Sequence, residues 1–223
     1  MELLRKSRSK INTMSRKRLI VFTRYPEPGK AKTRLIPVLG AEGAADLHRQ
    51  MTEYTISQVR QLQPGSFVSI EVYFTGSDTP DGKLRDRISF QNWLGADLIY
   101  HPQGEGDLGS RMAQAFSNAF SSGINSAIII GTDCPSLNAE LIAEALQKLE
   151  QNDLILGPAT DGGYYLIGLR RLIPELFVGI NWGTSEVLQK TVEIANNLKL
   201  AVAYLSLLSD IDRPEDLAKL GNW

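Results

Sequence analysis

The sequence predicts a single three-layer α/β/α domain built on a mostly parallel sheet. Short β-strand patterns alternate with amphipathic helical patterns along most of the chain. The run 128–130 consists of isoleucine alone, and unbroken β-branched runs are typical of strands that are covered on both faces. Neither a repeat nor a low-complexity linker interrupts the alternation, and 223 residues suit one domain with a short extension.

Each element is predicted from its hydrophobic periodicity. Strands are predicted at residues 19–23, 67–74, 97–100, 127–130, 153–156 and 164–169, with a late one near 200–204. Apolar residues spaced three and four apart predict helices within residues 47–62, 108–120, 141–149 and 187–198. In a sheet of this class ligands bind beyond the carboxyl ends of the strands, so functional residues are expected in the loops that follow them.

Charge is distributed unevenly along the chain. Although 24 Lys and Arg nearly balance 25 Asp and Glu, the first 34 residues carry +9 and the remainder carries −10. Residues 1–17 combine basic charge with little apolar periodicity, which predicts a disordered basic tail before one domain over residues 18–223. Because this tail contains no aromatic residues, nucleic acid is not expected as a partner.

Cysteine usage and hydropathy predict the compartment. The one cysteine, Cys134, cannot form an intrachain disulfide, and no Cys/His pattern has zinc spacing. No apolar stretch approaches the roughly 20 residues that span a bilayer. The basic N-terminus also lacks the apolar segment of a secretory signal. We therefore expect a soluble cytoplasmic protein that does not bind membranes.

The loop after the first predicted strand is rich in basic residues. Residues 23–35 read TRYPEPGKAKTRL, in which Pro26, Pro28 and Gly29 predict a stiff loop. The same loop contains four basic residues, Arg24, Lys30, Lys32 and Arg34. This is not a Walker A loop, since Lys30 is followed by alanine. A solvated surface loop is the alternative, but the position after a buried strand favours a phosphate site.

A glycine-rich loop follows the third predicted strand. Residues 103–112 read QGEGDLGSRM, and three glycines match the dinucleotide fingerprint, Gly104, Gly106 and Gly109. However, Pro102 and Gln103 separate the first glycine from the strand, and Asp133 comes later than the usual acid. A dinucleotide-dependent oxidoreductase is therefore a weak alternative. A pocket for a nucleobase or ribose and a simple tight turn both stay open.

Three later loops carry acids, within residues 131–136, 157–165 and 210–217. Asp133 follows the isoleucine run and suits either a divalent cation or the cap of the next helix. Asp161 is followed by two glycines, which permit a close approach to a ligand but also a hairpin turn. Asp212 and Glu215 have the spacing of a capping box.

In this order, the segments resemble the GT-A-like nucleotide-diphospho-sugar transferase superfamily. Within it, the chain is similar to the bacterial glycosyltransferase-like, or selenodomain-associated transferase, family. The resemblance extends from Arg18 to the C-terminus and rests on residues 22–35, 103–112, 131–135, 157–165 and 210–217. Small nucleotidyltransferases such as phospholactate guanylyltransferase are similar too, but their Gly-x-Gly-Thr-Arg loop is replaced here by the proline-rich loop.

The resemblance implies a role for each segment. Asp133 and Asp212 would bind Mg²⁺ or Mn²⁺, and the catalytic residues would be Asp133, Lys32 and Asp161. The nucleotide would be bound by Arg24, Gly29, Lys30, Lys32, Thr33, Arg34, Gln103, Gly104, Gly106, Asp107, Gly109 and Arg111. The acceptor would be bound by Asp161, Gly162, Gly163, Tyr164 and Trp182.

These observations predict a magnesium-dependent transferase that passes a nucleotidyl or glycosyl group from a nucleotide-linked donor to a small acceptor. Four basic residues in one loop favour a nucleoside triphosphate, whereas the family resemblance favours a nucleotide-sugar. In glycosyl transfer, Asp161 would be the base. The alternative outside enzymology is a nucleotide-sensing module on the same fold, and the presence of both Asp133 and Asp212 argues against it.

Overall fold

The computed structural model describes residues 16–62, 68–75 and 80–220. Of the predicted basic tail, only Arg16 and Lys17 fall within this range, so the disorder of the tail stays a prediction. Residue 67, the first of the second predicted strand, also lies outside the described residues.

A seven-stranded sheet forms the middle layer, in the order β3-β2-β1-β4-β6-β5-β7. The strands are β1 Lys17–Arg24, β2 Val68–Thr75, β3 Ile99–Pro102, β4 Ser126–Ile130, β5 Leu154–Pro158, β6 Tyr164–Leu169 and β7 Val202–Tyr204. β1 pairs in parallel with β2 and β4, as do β2 with β3 and β5 with β7. β6 runs antiparallel to both of its neighbours, β4 and β5. The sheet is therefore mostly parallel, as predicted.

Helices cover both faces of the sheet. They are α1 Ile36–Arg60, α2 Pro80–Leu94, α3 Leu108–Ser121, α4 Ala139–Lys148 and α5 Val187–Asn197, with short 3₁₀ helices at Thr33–Leu35, Pro174–Phe177 and Pro214–Leu220. α1 begins eleven residues before the predicted pattern and bends at Gly40, which has a φ of 72°. α2 was not predicted, because its apolar residues do not mark one face: Phe90 is fully buried but Ile88 is 48% exposed.

The apolar core is divided between the two faces of the sheet. Ile128 and Ile130 pack in a cluster with residues of α1, α2 and α4, whereas Ile129 packs with residues of α3 and α5. Successive side chains of a strand point to opposite faces, so a strand covered on both sides needs an unbroken apolar run. The predicted three-layer α/β/α fold is confirmed. No helix within the described ranges is long and apolar enough to cross a membrane.

Candidate active site

A cavity of about 500 Å³ opens beyond the carboxyl ends of β1 and β4. Its wall includes eight of the residues predicted from the sequence, Arg24, Gln103, Arg111, Asp133, Asp161, Gly163, Tyr164 and Trp182. The other predicted residues do not line it, namely Gly29, Lys30, Lys32, Thr33, Arg34, Gly104, Gly106, Asp107, Gly109, Gly162 and Asp212. Several of these lie directly behind the wall and position the residues that form it.

Lys32 lies behind the cavity wall, between two of the predicted acids. Its Nζ is 2.6 Å from Oδ1 of Asp133 and 3.9 Å from Oδ1 of Asp212, and it donates a hydrogen bond of 2.5 Å to the carbonyl of Ile211. Only 4% of the Lys32 side chain is exposed, whereas 53% of the Asp133 side chain is exposed. The backbone of Lys32 has a φ of 47°, in the left-handed region that few non-glycine residues adopt. The structure thus brings both predicted metal ligands to one ammonium group.

The other basic residues of this loop are also engaged. Lys30 forms an exposed ion pair of 2.9 Å with Glu27, and the guanidinium of Arg34 is paired with the carboxylate of Asp212. Arg24 donates a hydrogen bond of 2.9 Å to the carbonyl of Lys30 and lies in the cavity wall. Three of the four basic residues are therefore balanced by acids of the protein itself.

The last predicted segment folds differently from the expected capping box. The carboxylate that accepts hydrogen bonds from the backbone N–H groups of Asp212 and Arg213 belongs to Asp216, at 3.2 and 2.8 Å. The expected cap by Asp212 and Glu215 is therefore wrong. Since Asp216 satisfies these N–H groups, the carboxylate of Asp212 points to Lys32 and Arg34 instead.

The pKa values of two carboxyl groups in the cavity wall are shifted in opposite directions. Desolvation acts to raise the pKa of Asp133, but the charge and hydrogen bond of Lys32, with smaller effects of His48 and Arg24, leave it below its ordinary value. Burial has the largest effect on Asp210 and raises its pKa, and the negative charge of Asp161 raises it further. Asp210 was missed by sequence reasoning. It lies two residues before Asp212, and Ile211 between them is fully buried. In an extended segment alternate residues point to the same side, so this pattern could have placed Asp210 beside Asp212.

The loop after β3 is fixed by its own side chains. Nε2 of Gln103 donates to the carbonyls of Tyr73 and Thr23 at 3.1 and 3.4 Å, so its amide is tied to the ends of β1 and β2. Asp107 caps α3 by accepting a hydrogen bond of 2.8 Å from the N–H of Ser110. Gly109 packs closely against the indole of Trp182. A Cβ added at position 109 would come within 2.4 Å of Nε1 of that ring. In the structure these residues shape and support the cavity wall.

The turn between β5 and β6 places Asp161 in the wall. Oδ1 of Asp161 accepts a hydrogen bond of 2.8 Å from the N–H of Gly163, and the carbonyl of Gly162 accepts one of 2.9 Å from Leu188. Gly162 has a φ of 90°, and an added Cβ would lie 2.2 Å from the carbonyl oxygen of Ser185. The turn is therefore pressed against the chain that leads into α5.

Gly162→Ala should lower the free energy of unfolding by about 2–4 kcal/mol, through left-handed strain and the clash with Ser185 together. The matched control is Gly123→Ala, because Gly123 has a similar φ of 82° but open space around an added Cβ. We expect the control to lose only about 1–2 kcal/mol in urea denaturation. Equal losses in the two variants would show that the contact with Ser185 is unimportant.

His48 is a second wall residue that sequence reasoning did not connect with the site. It lies within α1, is only 4% exposed, and its Nε2 is 3.1 Å from the carbonyl oxygen of Arg24. Burial, which is the largest effect, lowers its pKa, although the charge of Asp133 and the hydrogen bond to Arg24 act in the opposite direction. A neutral imidazole therefore supports the start of the basic loop.

The pH dependence of the free energy of unfolding should show the lowered pKa of His48. Because its pKa in the folded protein is below the ordinary 6.5, the unfolded chain binds the proton more readily. The stability associated with neutral His48 is therefore present above pH 6.5 and is lost as the pH falls below it. Between about pH 7.5 and about pH 5.5, the wild type should lose more free energy of unfolding than His48→Asn, measured by urea denaturation. The same loss in both proteins would contradict this assignment.

The surroundings of Asp133 and Asp212 determine whether they suit a metal ion. Within the part of the chain that the structure describes, no group of three or more His, Cys, Asp or Glu side chains is arranged to hold a metal ion. The two carboxylates nevertheless converge on one cation, the ammonium of Lys32. Mg²⁺ is often held by one or two carboxylates together with substrate phosphates and waters. The two residues therefore fit a metal ion only if phosphate oxygens and waters would complete its coordination.

Comparison with solved structures identifies the fold. A "putative nucleotide-diphospho-sugar transferase" from Desulfovibrio desulfuricans G20 is 36% identical, covering 94% of this chain and 87% of the other, with a TM-score of 0.86. CMP:2-keto-3-deoxy-manno-octonic acid synthetase in complex with CTP is 11% identical, covering 92% and 97%, with a TM-score of 0.55. Rv0371c from Mycobacterium tuberculosis H37Rv in complex with manganese is 10% identical, covering 92% and 98%, with a TM-score of 0.52. The last two similarities concern the fold alone.

Comparison at the level of sequence identifies the family. Residues 58–184 match the family described as "Uncharacterized protein conserved in bacteria (DUF2064)". No curated protein is significantly similar in sequence to the chain. The chain therefore belongs to the DUF2064 family, and its fold is that of the GT-A-like nucleotide-diphospho-sugar transferases, as the sequence resemblance predicted.

Proposed function

We propose that the protein is a magnesium-dependent transferase that passes a glycosyl group from a nucleotide-diphospho-sugar to a hydroxyl of a small acceptor. The observation that carries this proposal is the pairing of opposite charges in one cavity. Arg24 and Arg111 provide cationic groups in its wall, and Asp133, Asp161 and Asp210 provide carboxyl groups. The cavity also lies beyond the carboxyl ends of parallel strands, where sheets of this class bind ligands.

The charge of the basic loop supports a diphosphate donor. Counted in the sequence alone, four basic residues favour a triphosphate, but Lys30, Lys32 and Arg34 are each paired with an acid. The guanidinium groups left in the wall are those of Arg24 and Arg111, and they are suited to bidentate contacts with phosphate oxygens. The relative from Desulfovibrio desulfuricans, described as a "putative nucleotide-diphospho-sugar transferase", supports the same donor class.

The acids of the cavity suit the transfer step. The acceptor oxygen would attack the anomeric carbon, the bond from that carbon to the diphosphate oxygen would break, and the hydroxyl proton would pass to Asp161. Asp161 is exposed in the wall, and its Oδ1 is oriented by the N–H of Gly163. A magnesium ion held by Asp133 and Asp212 would supply positive charge to the departing diphosphate.

Nucleotidyl transfer is the second candidate function. It is favoured by the fold shared with CMP:2-keto-3-deoxy-manno-octonic acid synthetase, whose structure contains CTP. In that reaction an acceptor oxygen would attack the α-phosphorus of a nucleoside triphosphate, and pyrophosphate would leave. An acceptor that is already ionised needs no protein base, so Asp161 would be dispensable for this chemistry.

One experiment separates the candidates. The full chain is incubated with Mg²⁺ and a panel of nucleoside triphosphates and nucleotide-diphospho-sugars. Binding is followed by the shift in Tm, and products by phosphorus NMR. We expect a donor-dependent rise in Tm and release of a nucleoside diphosphate together with transfer of the sugar. Pyrophosphate release would favour nucleotidyl transfer instead, and binding without turnover of any donor would indicate a sensing module.

A further inference from the structure

Lys32 occupies the space between the two carboxylates to which the proposed function assigns the metal ion. Its Nζ lies 2.6 Å from Asp133 and 3.9 Å from Asp212. We infer that Lys32 is the internal cation of this site in the free protein and that its ammonium must leave the two carboxylates before a divalent cation can bind. Metal and nucleotide would therefore bind together, and metal alone would bind weakly. This inference rests on the proposed function.

The first reason is electrostatic. A cation that contacts both carboxylates would lie within a few ångströms of the ammonium, since Nζ is itself within 4 Å of both. The side chain of Lys32 is almost completely buried, so water screens this repulsion poorly. The guanidinium of Arg34, paired with Asp212, adds a second positive charge on the same side. Both charges oppose the entry of a metal ion.

The second reason is the small number of ligands. Among the side chains that the structure describes, no third His, Cys, Asp or Glu joins Asp133 and Asp212 in a metal-binding group. Two carboxylates leave most of the six positions around Mg²⁺ to waters and phosphate oxygens. A metal ion that arrives alone would gain few protein contacts and would still have to displace Lys32.

A phosphate group in the cavity would remove both obstacles. Asp133 lies in the cavity wall and is half-exposed, and Lys32 is hydrogen-bonded to it from behind. Phosphate oxygens that reach Asp133 would offer the ammonium a new anionic partner, and the carboxylates would then be free to accept a divalent cation. The same phosphate would supply the missing metal ligands. Lys32 is thus a positioning residue that couples the binding of the two ligands.

The test measures Mn²⁺ binding to the full chain without nucleotide, from the electron paramagnetic resonance signal of free Mn²⁺. Lys32→Met should bind Mn²⁺ at least about tenfold more tightly than the wild type, because the repelling charge is gone. Lys32→Gln should show the same gain and retains a donor for the carbonyl of Ile211, which protects against a failure of the methionine variant to fold. The matched control is Lys190→Met, which removes an exposed, ion-paired charge away from the cavity wall and should leave the affinity unchanged.

The outcomes distinguish this inference from the proposed function. Adding Asp133→Asn to Lys32→Met should abolish the gain in Mn²⁺ affinity, which would show that the ion binds at this site. Equal Mn²⁺ affinities of the wild type and both Lys32 variants would overturn the inference but leave the proposed transferase intact. If none of these proteins binds Mn²⁺, even with a nucleoside diphosphate present, the proposed metal site and the inference are both overturned.

Discussion

Asp133→Asn should lower kcat/KM of the proposed transfer by about 100- to 1,000-fold, while the protein stays folded. The substitution keeps the shape of the side chain but removes the charge that would hold the metal ion. The loss of stability should be about 1–3 kcal/mol, because the buried ammonium of Lys32 loses its nearest negative charge but keeps the carbonyl of Ile211 as a hydrogen-bond partner. The predicted signature is therefore a loss of turnover that is far larger than the loss of stability can explain.

The matched control for this prediction is Asp46→Asn. Asp46 is similarly exposed, at 57%, and is paired with Arg49 on the surface of α1, away from the cavity wall. The control should keep the wild-type rate and Tm. Steady-state kinetics with the donor identified in the panel, together with urea denaturation, checks both variants. Activity within a few-fold of the wild type in Asp133→Asn would contradict the assignment of this residue to the metal site.

Phe90→Ala should lower the free energy of unfolding by about 3–5 kcal/mol, the range found when large aromatic side chains are removed from a packed core. The ring of Phe90 is fully buried. Its centroid lies 4.7 Å from that of Phe74, 5.6 Å from those of Tyr25 and Trp93, and 6.3 Å from that of Tyr100. The cavity left by alanine would therefore be lined by four other aromatic rings.

The consequences of this substitution should reach the proposed nucleotide-binding loop. Tyr25 follows Arg24 in the basic loop and rests on Phe90, so the variant should also weaken nucleotide binding. The matched control is Ile88→Ala on the same helix, since Ile88 is 48% exposed and should change stability by no more than about 0.5 kcal/mol. Urea denaturation of the two variants measures the contrast. Similar losses from Phe90→Ala and Ile88→Ala would contradict the packing described here.

The strands were largely predictable, because hydrophobic periodicity depends on burial, and burial on both faces leaves unbroken apolar runs. The direction of β6 could not be predicted from its sequence. Its residues are buried between β4 and β5, and such a strand has the same apolar composition whether it runs parallel or antiparallel. Helix α2 escaped prediction for a related reason. Among its described side chains, Phe90 and Leu94 are buried near its C-terminal end, and no apolar face repeats along the helix.

The segments that form the candidate site were predictable, but the side-chain contacts between those segments were not. Loops after strands carry the residues of the cavity wall, and the loop sequences alone indicated where to look. The pairing of Arg34 with Asp212 joins residues 178 positions apart, and no local pattern encodes such a contact. His48 was missed because a histidine on the buried face of a helix has the pattern of a core residue. The hydrogen bond to the carbonyl of Arg24 that connects it with the site exists only in the folded chain.

The reversed direction of β6 determines how the two sides of the cavity can move. The turn that carries Asp161 joins β5 to β6, and both strands are hydrogen-bonded within the sheet, so neither end of the turn can shift without breaking strand pairs. The basic loop is different, because it leaves β1 and continues into a 3₁₀ helix and α1. The turn that carries Asp161 is thus held by strand pairs at both ends, whereas the basic loop is held by strand pairs at one end only and otherwise by the ion pairs of Lys32 and Arg34. Any rearrangement on ligand binding is therefore expected in the basic loop rather than in the turn that carries Asp161.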